Sequence, residues 1–473
     1  CGLRAVEKSF FFQAEDGLRA LVRSRGLGDV YKSLILLYLE SVTNARRFMS
    51  AARHASRLKP VIVLKSGRSP AAAKAAASHS GALAGGDAVF DAAFRRAGVQ
   101  RVATLKHMLE AAEVLAHAQP LCGEALALLT NGGGMGVLAA DQLLAGGGHL
   151  AALHDTTRAA LDAVLPAAWS HANPVDIIGD AGPDRYRAAL SVLLDAEEVD
   201  AVAVMYCPTG MGDATAAVGG VTAEIGQRAS HKPVMAAWLG PVASAAARQP
   251  LSALGIPGFD TPEALVRGFM QRVDRQRLQA QLSETVPAFP MRGANHRAEV
   301  RQLIDAKLGE GVDWLDEVDA KHLLALAGFE VNQTRRATTP EEASAAALTL
   351  TGPYAVKIQS PDLLHKSDVG GVALNVESAE EVARVAAGMI ERLHTKYPDA
   401  RLAGVSVQSM VKRANAHEVI AGLSLDPVFG PVLVFGAGGV AVEAIEDTAL
   451  ALPPLNVNLA RDLVERTRIV HVL

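Results

Sequence analysis

Short apolar runs alternate with helix-forming segments along most of this chain, and this alternation constrains the fold more than any other feature. The runs LILLYLES, from Leu34, and VIVLK, from Val61, are each followed by residues with helical spacing. Uninterrupted apolar runs of this length are typical of strands buried on both faces of a parallel sheet. Strand–helix–strand order makes the helices cover those faces. The sequence therefore predicts an α/β fold.

The alternation occurs twice and then gives way to a strand-rich α+β pattern. A length of 473 residues is compatible with about three domains. We predict two tandem flavodoxin-like parallel-sheet domains, at 33–120 and 121–275, a polar connector at 276–300, and an α+β domain at 301–473.

The first 32 residues do not fit this organisation. The stretch from Phe10 to Lys32 has neither a clean helical nor a clean strand period, and it resembles a translated sequencing adapter. A divergent loop followed by a helix is the alternative. We interpret residues 1–32 as a non-native segment and exclude them from the fold prediction.

Composition excludes several classes of function. The chain has 50 acidic and 46 basic residues, a formal charge of −4, which predicts no nucleic-acid or anionic-membrane partner. Cys1, Cys122 and Cys207 have neither disulfide-framework nor metal-ligand spacing, so a cytoplasmic location is predicted. The sequence shows no signal peptide and no apolar run of membrane-spanning length.

A lone histidine lies in a loop of small residues after the second strand. His79 is the centre of AAASHSGALAG, residues 75–85. Ligands of parallel sheets bind beyond the carboxyl ends of the strands, and small residues let the backbone approach an anion. Histidine is a competent nucleophile near neutral pH, and Glu40, at the end of the first strand, can fix its tautomer. A loop histidine without a function is the alternative.

The second domain contains a glycine-rich helix start. In TNGGGMGVLAAD, the residues from Asn131 to Gly136 place backbone N–H groups at a helix N-terminus, where the dipole favours an anion. The match to a dinucleotide fingerprint fails because Val137 stands where a glycine is needed. A generic anion site is the prediction, and a tight strand-to-helix turn is the alternative.

The third domain has a lysine within an apolar strand. Lys357 lies in YAVKI, where a buried ammonium needs an anionic partner. His365, Lys366 and Asp368 follow, and glycines lie at 436, 438 and 439. Nucleotide binding explains this set. A lysine that extends its ammonium to solvent, with glycines that only turn the chain, is the alternative.

Four motifs together resemble those of the NDP-forming acyl-CoA synthetases, the ADP-forming acetate–CoA ligases that are relatives of succinyl-CoA synthetase. The motifs occur in the family's order over residues 33–473. They are KPVIVLKSGRSPAAAKAAASHSGALAG, LLTNGGGMGVLAAD, NPVDIIGDA and YAVKIQSPDLLHKSDVGGV. The resemblance implies that the last domain is an ATP-grasp domain.

The resemblance also implies an activity and its residues. The reaction is acyl-CoA + ADP + phosphate = acid + CoA + ATP, with acetate or another small acid, through a phosphohistidine at His79. Glu40 orients that histidine, and His365 is a second, relaying histidine. The implied phosphate contacts are Ser78, Ser80, Gly81, Gly133, Gly134, Met135 and Gly136. The implied nucleotide contacts are Lys357 and Glu418.

The implied small-molecule partners are ATP or ADP, coenzyme A as a substrate, and Mg²⁺, with a homo-oligomer as the assembly. Two departures from the family pattern predict a fragment cut at both ends. A CoA-binding Rossmann-type domain is missing, and the chain stops before the ATP-grasp strand that supplies Mg²⁺ ligands. We therefore assign no metal ligand. Bacterial members often carry a C-terminal lysine acetyltransferase domain, and this sequence does not include one.

Two other functions remain possible at this point. One is a catalytically inactive regulatory module of a lysine acetyltransferase, and the other is a structural scaffold. An inactive module is expected to lose the nucleophilic histidine. Because His79, Glu40, His365 and Lys357 are all present, catalysis is favoured.

Overall fold

The structure is a computed structural model with two compact units. It describes residues 9–13, 34–69, 86–116, 119–229, 232–284, 294–312, 314–363, 365–411, 413, 415–439 and 447–473. The larger unit combines Cys1–Pro287 with Glu418–Leu473, and the smaller unit is Ala288–His417. None of the described helices is long and apolar enough to cross a bilayer.

The first sheet of the larger unit is four-stranded and parallel, in the order β1-β2-β3-β4. Its strands and helices are β1 (Ser9–Gln13), β2 (Leu34–Leu39), α1 (Ala45–Leu58), β3 (Val61–Lys65), α2 (Asp87–Ala97), β4 (Gln100–Val102) and α3 (Leu105–Ala116). Alternate residues of β2 face opposite layers: Leu37 packs with Phe48 and Phe94, and Leu36 packs with Met108. Helices therefore cover both faces, as the apolar runs predicted.

A strand lies inside the segment that we excluded. Ser9–Gln13, with the sequence SFFFQ, pairs in parallel with β2 in the register Phe11 to Leu36. Three consecutive phenylalanines favour a strand, although five residues are too few to show a period of two. The absence of a repeating pattern therefore did not exclude a regular element here.

The second sheet is separate from the first and also parallel, in the order β10-β9-β8-β5-β6, with β7 paired to β5. Its strands are β5 (Ala125–Thr130), β6 (His149–Leu150), β7 (Val175–Asp176), β8 (Ala201–Tyr206), β9 (Val234–Trp238) and β10 (Gly258–Phe259). Its helices are α4 (Gly133–Ala145), α5 (Asp155–Val164), α6 (Pro183–Asp195), α7 (Ala214–Gly226), α8 (Pro241–Ala253) and α9 (Pro262–Ser283). Strand β8 is buried along its whole length, which explains its uninterrupted apolar sequence.

Helix α9 connects the two sheets and runs further than predicted. The side chain of Gln100, in β4, donates a 2.7 Å hydrogen bond to the Gln271 carbonyl. Leu278 and Leu282, one helical turn apart, are both buried. Gly98, with φ of +71°, leaves room for Leu282, because a Cβ there would lie 2.3 Å from Cδ1 of that leucine. This packing makes the first part of the predicted 276–300 connector helical.

The smaller unit has an antiparallel sheet in the order β11-β14-β12-β13. Its elements are α10 (Ala294–Gly309), α11 (Glu317–Leu326), β11 (Thr334–Ala337), α12 (Pro340–Leu348), β12 (Tyr354–Ile358), β13 (Val372–Val376), α13 (Ala379–Lys396) and β14 (Val405–Ser409). Helices α12 and α13 contribute to the same apolar core as the sheet, through Ala343, Val382 and Leu393.

Residues after His417 belong to the larger unit. They form a three-stranded antiparallel sheet of β15 (Val419–Asp426), β16 (Gly430–Ala437) and β17 (Thr448–Ala451), followed by α14 (Val457–Glu465) and a 3₁₀ turn (Arg468–Val472). The ring of Phe429 packs edge-on against that of Phe90 in α2, with ring centroids 5.1 Å apart. Val432 and Leu452 are also buried against α2. The stretch predicted as one domain, 301–473, therefore contributes to both compact units.

Candidate active site

The order of the second sheet reverses between two strands. From β5 the chain goes to β6 on one side, and later to β8 on the other side. In open parallel sheets the crevice at such a switch point, beyond the carboxyl ends of the strands, is where ligands bind. The segments that enter this crevice follow Thr130 of β5 and Tyr206 of β8.

A buried asparagine ties these two segments together. The amide nitrogen of Asn131 donates to the Cys207 carbonyl at 3.0 Å, and its oxygen accepts from the Cys207 N–H at 2.7 Å. Asn131 is 1% exposed. A Cβ on Gly132 would lie 2.8 Å from Cβ of Cys207, so only glycine allows this approach. The backbone ahead of the helix is therefore held rigidly.

Helix α4 begins with an uncapped, open first turn. Its N-cap is Gly132, which has no side chain to accept from the first N–H groups. Gly133 and Gly134 are exposed, whereas Met135 and Gly136 are buried. Among the residues that the structure describes, a Cβ on Gly134 would meet no atom within 4 Å. The helix start predicted from TNGGGMG is confirmed. The N–H groups of Met135 and Gly136 donate to the Gly132 carbonyl at 3.0 and 3.3 Å, so only the amides of Gly133 and Gly134, of the four predicted, act together with the helix dipole to suit an anion.

One carboxylate beside this helix start was missed from the sequence. Oδ2 of Asp176, at the end of β7, lies 2.8 Å from the position of a Cβ on Gly133. The other oxygen accepts from the N–H of Ile178, whose φ of +68° is unusual for a β-branched residue. Strained backbone of this kind concentrates at functional sites. The signal in the sequence was the acid in NPVDIIGDA, a motif that we used only for the resemblance.

At the first sheet, the structure describes one of the predicted catalytic groups. Glu40 follows β2 directly, and its carboxylate accepts from the Tyr38 hydroxyl at 3.3 Å. His79 lies outside the described residues, as do Ser78, Ser80 and Gly81. Their roles remain predictions. The described strand ends nevertheless place Glu40 at the edge from which that loop departs.

Lys65 is a buried cation at this same edge. It ends β3 and is 4% exposed. Its ammonium donates to the Ser66 carbonyl and lies 4.6 Å from the centroid of the Phe90 ring. Burial lowers the pKa of Lys65 from its usual 10.5, although the negative charge of Asp87 acts to raise it. The pattern VIVLK carries the same signal as YAVKI, so the argument applied to Lys357 also identifies this lysine.

We expect Lys65 to make stability depend on pH on the alkaline side. The folded state releases this proton at a lower pH than the unfolded state, so stability rises with pH in the window below 10.5. Lys65→Met should remove that rise, measured by urea unfolding between about pH 7 and 10. Lys106→Met, on an exposed helix face, is the control and should keep it. Equal pH slopes in all three proteins would contradict this prediction.

The smaller unit holds the predicted lysine beside a carboxylate. Nζ of Lys357 lies 2.8 Å from Oε1 of Glu317, at the start of α11, and Nζ of Lys321 lies 2.9 Å from the same oxygen. Burial opposes ionisation of Glu317, but hydrogen bonds from both lysines outweigh it and lower the pKa of Glu317. Sequence reasoning missed this carboxylate because a glutamate at a helix start usually serves the helix dipole.

The other two predicted residues of the last domain lie on different units. His365 is exposed and directly precedes a turn next to β12. The N–H of Gly371 donates to the Lys366 carbonyl at 2.7 Å across this turn. Glu418 begins the last part of the larger unit, where its carbonyl accepts from the N–H of Gly438 at 2.7 Å. A Cβ on Gly439 would lie 3.1 Å from the Glu418 carboxylate. Of the three glycines that we noted, Gly438 and Gly439 therefore lie against Glu418, whereas Gly436 lies against the backbone of Asp447 and Thr448.

The described residues do not contain a metal site. Nowhere among them do three or more histidine, cysteine, aspartate or glutamate side chains converge as ligands would. They therefore do not account for the implied Mg²⁺, and we assign no step to it.

Comparison with known proteins gives three family matches in order. A succinyl-CoA ligase-like flavodoxin domain matches residues 28–115, a ligase-CoA domain matches 126–268, and an ATP-grasp domain matches 306–473. These matches confirm the predicted fold class: parallel-sheet flavodoxin-like domains followed by an ATP-grasp domain.

Individual relatives agree with these matches. An ADP-forming acetate–CoA ligase I of Archaeoglobus fulgidus is 33% identical over 93% of this chain and 62% of its own length. The beta subunit of the ADP-forming acetate–CoA ligase II of Pyrococcus furiosus is 33% identical over 37% of this chain and 74% of the subunit. The chain spans 62% of the length of the Archaeoglobus ligase and 58–63% of the length of three further single-chain curated relatives that it matches.

A solved structure has the same fold. The dinucleotide-forming acetyl-coenzyme A synthetase 1 of Candidatus Korarchaeum cryptofilum, in complex with phosphate and ADP, is 30% identical with a TM-score of 0.52. The match covers 55% of this chain and 57% of that one.

Proposed function

The chain belongs to the ADP-forming acetate–CoA ligase family, and we propose that it carries the phosphoryl-transfer machinery of an acyl-CoA synthetase that makes ATP from acyl-CoA, ADP and phosphate. The acid is acetate or another small carboxylic acid. The observation that carries the proposal is the open first turn of α4 at the switch point of the second sheet. Phosphate and ADP are bound by the Korarchaeum relative, and both have a candidate site here.

The reaction proceeds in three transfers. The first moves the acyl group to phosphate, the second moves the phosphoryl group to His79, and the third moves it to ADP. A phosphate oxygen attacks the thioester carbonyl, the carbon–sulfur bond breaks, and CoA leaves with an acyl phosphate formed. The His79 ring nitrogen then attacks phosphorus, and the acid leaves as its carboxylate. Finally the phosphoryl group reaches ADP through His365. A ring nitrogen of His365 attacks the phosphohistidine and the phosphorus–nitrogen bond to His79 breaks; an oxygen of the ADP β-phosphate then attacks phosphorus, the bond to His365 breaks, and ATP forms. The same steps run in reverse.

The described residues take part in the first two transfers by holding charge and orientation. The amides of Gly133 and Gly134 stabilise the phosphate oxygens as charge builds up on them. Asp176 accepts a hydrogen bond from the single P–OH group of a monoprotonated phosphate, which directs the remaining oxygens towards the amides. Glu40 fixes the tautomer of His79 and stabilises the protonated ring.

The third transfer uses residues of the ATP-grasp domain. The ammonium of Lys357 binds nucleotide phosphates, Glu418 contributes to the nucleotide site, and His365 relays the phosphoryl group. Coenzyme A is a substrate rather than a resident cofactor. We further propose a cytoplasmic location, which fits three scattered cysteines, and a homo-oligomeric full-length protein.

The test is formation of ATP from acetyl-CoA, ADP and phosphate by the full-length protein. We expect ATP formation to require all three substrates and to release one CoA for each ATP. A panel of acyl-CoA thioesters then defines the acid. Failure to form ATP from any thioester, together with regulation of an attached acetyltransferase, would instead establish the inactive regulatory module.

A further inference from the structure

One carboxylate in the smaller unit is shared by two lysines. Oε1 of Glu317 accepts from Lys357 Nζ at 2.8 Å and pairs with Lys321 Nζ at 2.9 Å. The three side chains are 20%, 25% and 19% exposed, in that order. Glu317 and Lys321 lie four residues apart on α11, whereas Lys357 comes from β12. Glu317 therefore links α11 to β12, because it pairs with a lysine of its own helix and with a lysine of the strand.

Lys321 has no hydrogen left for a ligand. Besides Glu317, its ammonium donates to Oγ1 of Thr334 at 2.9 Å and to the side-chain oxygen of Gln408. An ammonium has three N–H groups, and these three acceptors use all of them. Lys321 is therefore an anchor that joins α11 to β11 and β14.

Lys357 is in the opposite situation. In the part of the chain that the structure describes, its ammonium makes one hydrogen bond, to Glu317. Two of its three N–H groups therefore remain for a ligand, and the bond to Glu317 restricts where they point. A lysine side chain is otherwise flexible, so fixing one N–H reduces the rotamer freedom that binding would have to remove.

The cluster carries excess positive charge. Two ammonium groups share one carboxylate, and Lys366 lies near enough to act on Lys321 electrostatically. Burial, together with the charges of Lys357 and Lys366, lowers the pKa of Lys321 although Glu317 opposes this. A partly buried, incompletely neutralised cluster of this kind favours an anion.

Helix α11 is itself held in place by its acidic first turn. The Asp316 side chain accepts from the N–H groups of Val318 and Asp319 as a helix cap, and it also accepts from Arg336 of β11. Asp319 pairs with Lys307 of α10 at 3.1 Å. The position of Glu317 is thus fixed by neighbouring contacts before any ligand arrives.

We propose that Glu317, anchored by Lys321, is a positioning residue that holds the Lys357 ammonium ready for the phosphates of a nucleoside diphosphate or triphosphate. The inference rests on the proposed function, since it takes Lys357 as the phosphate-binding lysine. Glu317 acts through Lys357 and does not touch the nucleotide.

The test measures binding of ADP and of adenosine to the full-length protein by calorimetry. Glu317→Gln should weaken ADP binding about tenfold, as expected for loss of a charged hydrogen-bond partner, and leave adenosine unchanged. Lys357→Met should weaken ADP binding as well, and adding Glu317→Gln to it should weaken binding no further.

Glu310→Gln is the matched control, because Glu310 pairs with Lys307 on the surface of the same unit, and it should leave ADP binding unchanged. Lys321→Met provides a second variant and should reproduce part of the Glu317→Gln effect. Unchanged ADP affinity in Glu317→Gln, or equal losses for ADP and adenosine, would overturn the positioning role. If the unmodified protein did not bind ADP at all, the proposed function would fail, and this inference with it.

Discussion

His79→Asn should abolish phosphorylation of the protein. The full-length protein incubated with [γ-³²P]ATP is expected to carry an acid-labile, base-stable label, the signature of a phosphohistidine. Asparagine retains polarity but has no nucleophilic ring nitrogen, so both labelling and ATP synthesis should fall by about 10⁴-fold or more, as when a covalent nucleophile is removed.

The second histidine should separate the two directions of labelling. His365→Asn is expected to reduce labelling from ATP while leaving labelling from acetyl-CoA with radioactive phosphate intact. The reason is that His365 belongs to the ATP-grasp domain and relays the phosphoryl group only on the nucleotide side. A variant that loses both labels equally would show that His365 has another role.

A third histidine provides the control for both variants. His154 is exposed and pairs with Glu198 ahead of α5, and His154→Asn should retain full labelling. Undiminished labelling of His79→Asn would exclude His79 as the nucleophile and would redirect attention to the remaining histidines.

The parallel sheets and the helix start were predictable because their signals are local. An apolar run such as that of β8 is buried on both faces wherever it lies, so its pattern needs no knowledge of neighbours. The start of α4 was likewise marked by consecutive glycines between a strand and a helical segment. Local rules of this kind correctly placed Gly133 and Gly134 at a strand's carboxyl end.

The features that sequence patterns alone do not supply depend on contacts between distant residues. The polar sequence after residue 275 indicated a connector, yet Leu282 makes it helical by packing at Gly98. Residues after His417 join the larger unit through Phe429 and Phe90, which lie far apart in sequence. Glu317 could not be paired with Lys357 without the arrangement of α11 against β12. Periodicity identifies elements, whereas tertiary packing decides their partners.

Adding one negative charge to the start of α4 should separate activity from stability. Gly134 is exposed, and a Cβ added there would meet no atom of the described residues within 4 Å. The first turn of α4 contains no acidic residue, so Gly134→Asp should leave the melting temperature unchanged or raise it slightly, since an acid in the first turn favours the helix dipole. The melting temperature can be followed by circular dichroism.

The same substitution should sharply reduce turnover of phosphate. Asp176 already supplies one carboxylate at this helix start. A monoprotonated phosphate has one P–OH group, so it can donate a hydrogen bond to only one carboxylate. A second carboxylate can only repel the ligand, and we expect kcat/KM for phosphate to fall about 100-fold, as for like charges a few ångströms apart at a protein surface. Gly134→Asn, with the same size and no charge, is the matched control and should lose less than about tenfold. Equal losses in both variants would point to steric hindrance, and retention of activity by Gly134→Asp would show that phosphate binds away from this helix.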